Sequence, residues 1–145
     1  MMHLILTTTF AVAALSLGGC ATQSAAQHHA ATLGGPVSRV VELPGTPGAG
    51  EPREVRVVVD EPALKLASIV LRGGTVLPTH HSVVPVTIMA LRGSGIVVAR
   101  TERLRLDPTH AVVLAPHVPH SVEPDAGTDL VLLVHHLGRG EEHHP

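Results

Sequence analysis

The chain has 145 residues, 44% of them hydrophobic, and its 10 Lys and Arg against 12 Asp and Glu give a formal net charge of −2. That length suits one domain, and weak mixed charge without a basic run excludes an electrostatic nucleic-acid binder. Phe10 is the single aromatic residue, so any core must be filled by Val, Leu, Ile and Ala.

The first segment, Leu4 to Gly19, is uncharged, apolar and rich in small residues. A run this short reads as the hydrophobic region of a signal peptide rather than a stable membrane span. It closes on Leu17-Gly18-Gly19-Cys20, and Cys20 is the only cysteine. The tetrapeptide resembles a bacterial lipobox. By that resemblance residues 1–19 are a lipoprotein signal and Cys20 is lipidated, palmitate being one of its acyl groups. Ala21, rather than Asp, then implies an outer-membrane anchor facing the periplasm. A lipidated Cys20 leaves no thiol for a disulfide or a thiolate metal site.

Residues 20–54 read as a flexible tether. Ala21–Pro36 has no periodic apolar face, and Glu42–Pro52 is dense in Gly and Pro; neither can bury a core. Between them Val37–Leu43 is apolar enough for an added edge strand. From residue 55 the pattern changes to short β-branched runs separated by turn residues. Val55–Val59 is a strand, and Leu64–Leu71 another, with Lys65 expected outward. Pro78 is expected to interrupt the chain ahead of His80. Strands follow over Val84–Leu91, Gly95–Arg100, Arg103–Leu106, Ala111–Ala115 and Leu130–Leu137. Arg92–Gly95 suggests a tight hairpin, and Glu102, Asp107 and Glu123 are expected at turns. No stretch shows a capped amphipathic helix. The barrel spans 55–138, and the 139–145 tail should be disordered. A domain this small, without aromatics or disulfides, is expected to close by forming a homodimer.

The twelve histidines mark the candidate site. Most useful are Thr79-His80-His81-Ser82, Pro116-His117-Val118-Pro119-His120 and Val134-His135-His136. Imidazole suits Fe, Mn, Ni, Cu or Zn when three or four donors converge. His80 and Ser82 share one strand face, with His81 opposed unless a bulge re-aims it. His117 and His120 flank a turn. Only one of His135 and His136 can face inward. The hydroxyls of Ser82 and Thr87 could contact a ligand, although Thr87 is more simply a strand-former. Met89 is either a pocket wall or plain filler. His28–His29 and His143–His144 read as incidental.

The order of strands and histidines resembles a small single-domain cupin over Leu64 to Gly138. Gly74, five residues, His80, and later Gly93 keep the frame of that family's first motif. Ser82 and Val86 stand where its second His and its Glu would be. In the second motif His120 falls on the metal His, while His117 stands at a Gly position. The resemblance implies an all-β double-stranded β-helix (jelly-roll) barrel. It also implies a divalent metal held by His80 and His120, with His81, His117 or His136 completing the set. The expected function is an envelope lipoprotein whose barrel binds a small molecule or a divalent metal through histidines. The alternatives are a metal-dependent dioxygenase or isomerase, weakened by the missing Glu, and a structural dimerisation module.

Overall fold

The computed structural model describes residues 34–36, 38–44 and 47–138. The leader with Cys20, both terminal histidine pairs and the 139–145 tail lie outside these residues. Among the described residues nine strands occur: β1 (Arg53–Asp60), β2 (Leu64–Leu71), β3 (Leu77–His80), β4 (Val86–Arg92), β5 (Gly95–Ala99), β6 (Glu102–Leu106), β7 (Ala111–Leu114), β8 (His120–Pro124) and β9 (Leu130–Leu137). They form two antiparallel sheets, ordered β1-β2-β9-β4-β7 and β3-β8-β5-β6. The architecture is an all-β jelly roll, in which two stacked sheets bury their facing sides.

Alternation along each strand decides what is buried. On β4, Val86, Ile88 and Ala90 are buried while Met89 and Leu91 are exposed. On β9, Leu130, Leu132 and Val134 join the same core as Val97, Leu106, Val112, Leu114 and Val122. No buried core side chain is aromatic. Strand β2 breaks the alternation, because Leu66 through Leu71 are all buried. Its second face lies on the side from which the irregular 47–52 segment is fastened. Arg72 donates to the carbonyls of Pro47 and Gly48 and pairs with Glu54, while its own N–H donates to the Pro52 carbonyl at 2.8 Å. Arg39 pairs with Glu61 at 3.0 Å. The edge strand expected at Val37–Leu43 does not form over residues 38–44, which are irregular. None of the described strands pairs with it, so local apolarity alone does not make it a strand.

Three other expectations are corrected. Arg92–Gly95 does not close a hairpin: β4 pairs with β7 and β9, and β5 with β6 and β8. The turn instead carries the chain from one sheet to the other. Pro78 does not interrupt the chain. Leu77–His80 is β3, an edge strand whose pairing slips between Leu77 and His80, and an edge tolerates proline because only one side needs ladder hydrogen bonds. Glu123 is not at a turn but on β8, where it pairs with Arg103 at 2.7 Å. Together with Arg105–Asp125 at 2.8 Å, this makes the β6 arginines a solvated, ion-paired face.

Candidate functional site

Strands β3 and β8 bring two distant histidines side by side. His80 and His120 are direct register partners across the two strands, so both side chains point to one face. Their ring centroids are 4.3 Å apart, with the planes tilted by 53°. His80 is exposed at the rim, whereas His120 is only 4% exposed. Each ring is held by its own strand. Nδ1 of His80 lies 2.8 Å from the Pro78 carbonyl, and Nδ1 of His120 lies 2.9 Å from the Val118 carbonyl. A carbonyl can only accept, so each Nδ1 carries the proton. In the neutral ring this leaves Nε2 as the acceptor, and the geometry is the one by which a histidine is oriented toward a metal or a ligand.

The pair opens into a cavity of about 390 Å³, at the small end of ligand pockets, which run to about 300–1,000 Å³. Its wall is aliphatic, built largely by Ala67, Ile69, Ile88, Val122, Leu132 and Val134. Its polar members are Lys65, His80, His81, Ser82, His120 and His136. Among the described residues no Asp or Glu lines it.

The remaining candidates separate cleanly. On β9, His136 lines the cavity, and His135 faces the other way, 2.9 Å from the Thr87 hydroxyl. Thr87 is thus a strand residue with a local partner rather than a ligand contact. Met89 faces solvent. His81 is exposed but also lines the cavity mouth, just past the end of β3 where the strand alternation no longer fixes its side. His117 does not line the cavity; its ring centroid is 5.9 Å from that of His81. It adopts φ 61°, the left-handed conformation that glycine takes most easily, and its N–H donates to the Ser82 carbonyl at 2.7 Å. Ser82 in turn accepts from the Val84 N–H at 3.2 Å, so its hydroxyl helps to shape the rim.

Lys65 was not expected here. It is half-buried and lines the cavity, in phase with Ala67, Ile69 and Leu71. Its phase could not be read from the sequence, because β2 is apolar on both faces. Across the sheet its register partner is His136. Nδ1 of His136 is buried and makes no hydrogen bond of normal geometry to the described residues.

Electrostatics keep the inner imidazoles neutral. Burial lowers the pKa of His120 from the ordinary histidine value, the Val118 carbonyl opposes this, and the charges of His80 and His81 lower it further. For His136 burial is again the main cause, followed by the charge of Lys65, with the Lys65 backbone opposing in part. Desolvation penalises the charged ring, so near neutral pH both rings favour the uncharged form.

A resident metal held by three or four protein donors does not fit. Among the described residues no three His, Cys, Asp or Glu side chains are grouped so as to hold an ion. His80 and His120 supply two nitrogens, and the motif positions of the other donors are Ser82 and Val86.

No family model and no curated protein matches the sequence. Solved structures do match the fold. An RmlC-like cupin family protein with a double-stranded β-helix fold from Methanocaldococcus jannaschii is 17% identical, with a TM-score of 0.62 over 74% of this chain and 97% of that one. An RmlC-like cupin protein from Desulfovibrio desulfuricans is 21% identical, with a TM-score of 0.55 over 66% of this chain and 95% of that one. A cupin superfamily protein from Desulfitobacterium hafniense is 12% identical, with a TM-score of 0.55 over 69% and 98%. The fold is therefore the cupin double-stranded β-helix.

Proposed function

We propose that this domain is a small-molecule binding module in which His80 and His120 anchor the polar end of a ligand inside the aliphatic barrel. One observation carries the reading: both rings direct Nδ1–H to a backbone carbonyl and so turn a fixed Nε2 acceptor away from the main chain. Such rings need little reorganisation on binding, which favours affinity. Two neutral imidazoles without a nearby carboxylate can orient and hold a ligand. They lack the paired acid and base that would make a strong general catalyst.

A second reading rests on the same locked rings: a divalent cation on the two Nε2 atoms, with the ligand supplying further donors. Calorimetry on the full chain separates the two. Zinc and manganese should bind no tighter than about 10 μM, a level that exposed histidine pairs can reach, and the His80→Ala/His120→Ala double variant should weaken ligand binding at least tenfold. Sub-micromolar metal binding lost in that variant would replace the first reading with the second. We further propose that the barrel is displayed from a membrane through Cys20, on the strength of the Leu-Gly-Gly-Cys tetrapeptide. Fractionation of cells making Cys20→Ser should move the protein from the membrane to the soluble fraction; an unchanged distribution would refute the anchor.

A further inference from the structure

The cavity has an electrostatic sign. Among the described residues that line it, Lys65 alone is permanently cationic at neutral pH, four are histidines, and none is acidic. Lys65 takes part in none of the ion pairs formed among the described residues. Asp60, its register partner on β1, is exposed and does not line the cavity. A half-buried ammonium beside an apolar wall is costly unless something polar meets it.

We infer that the ligand of this pocket is a small carboxylate with an aliphatic body, its carboxylate meeting the Lys65 ammonium beside His136 and its hydrocarbon lying along Ile69, Ile88 and Leu132. This rests on the barrel being a small-molecule pocket and adds the charge and shape of what it takes. A carboxylate fits better than a phosphate group. One ammonium balances one negative charge, whereas phosphate recognition usually recruits an arginine fork or a run of backbone N–H groups, and no arginine lines the cavity. The body of the ligand is aliphatic, because the described wall around the histidines is Val, Leu, Ile and Ala, with no Phe, Tyr or Trp.

The test uses the full chain and three probes of equal length: hexanoate, hexanol and hexylammonium, titrated by calorimetry. Hexanoate should bind at least tenfold tighter than hexanol, and hexylammonium should bind weakest. Lys65→Met should lower hexanoate affinity about tenfold and leave hexanol unchanged, while Lys65→Arg keeps hexanoate within about threefold. Hexanol binding as tightly as hexanoate, or Lys65→Met leaving hexanoate unaffected, would overturn the carboxylate assignment and leave the pocket reading intact. Binding of none of the three would overturn the pocket reading with it. The comparison among probes on the native chain holds even if Lys65→Met does not fold.

Discussion

Gly93→Ala should unfold the domain more readily than any other single methyl group added to a glycine of the barrel. Two costs act together there. Gly93 has φ 77°, and a Cβ at that position would overlap the Asp129 carbonyl oxygen and sit 3.3 Å from the Leu130 Cα. The left-handed backbone alone costs an L-residue about 1–2 kcal/mol. The overlap is with backbone at the start of β9, which cannot swing aside as a side chain would, and forcing extra volume into a packed site costs about 1–3 kcal/mol more. A combined loss of about 3 kcal/mol corresponds to a fall in Tm on the order of 10–20 °C for a domain of this size. Gly73→Ala is the internal control: Gly73 has φ 58° but nothing lies within 4 Å of its would-be Cβ, so only the backbone cost applies. Thermal unfolding of both variants, followed by far-ultraviolet circular dichroism, compares them directly. Equal losses for the two would show that the close approach at the sheet-to-sheet crossing contributes nothing.

Leu71→Ala should cost about 3–4 kcal/mol, within the range of about 2–5 kcal/mol for truncating a buried leucine. Leu71 is 0% exposed and opposes Leu130, also 0% exposed, across β2 and β9. Neither lines the cavity, so the truncation leaves a void in packed protein rather than a larger pocket. The absence of aromatics sharpens this effect. Each leucine is among the largest groups in the described core, and many of the other core members are valines and isoleucines with few rotamers to refill the space. Val113→Ala, at a position 70% exposed on β7, should change stability by less than about 0.5 kcal/mol. Chemical denaturation of the two variants gives both numbers, and a Leu71→Ala loss below about 1 kcal/mol would mean that the sheets are less tightly packed than the burial implies.

Particular residues show where sequence reasoning reached and where it stopped. The β4 and β9 runs could be delimited closely because each is a long apolar stretch between turn residues. His80 could be singled out by its frame relative to Gly74 and Gly93, and His120 by its place in the second motif of the cupin resemblance. Their approach to each other could not, because it depends on β3 and β8. The first is a four-residue edge strand containing a proline, and the second begins immediately after Pro119. Neither has an apolar pattern long enough to announce a strand. Lys65 was misplaced for a different reason. Period-two alternation tells which residues share a face, but on β2 both faces are buried, so the pattern carries no mark of which one is the interior.

By itself the sequence determined an all-β domain built from Val, Leu and Ile, most of its strands, and the two histidines on which a site could rest. Those properties are local: β-branched runs, turn residues and spacing act over a few positions. Tertiary structure alone decided that β9 inserts between β2 and β4, that Arg92–Gly95 crosses between sheets, that His136 rather than His135 faces the cavity, and that Lys65 joins it. These follow from hydrogen-bonded pairing between segments far apart in the chain and from which face each sheet buries. A one-residue change in that pairing would send every side chain of a strand to the opposite side.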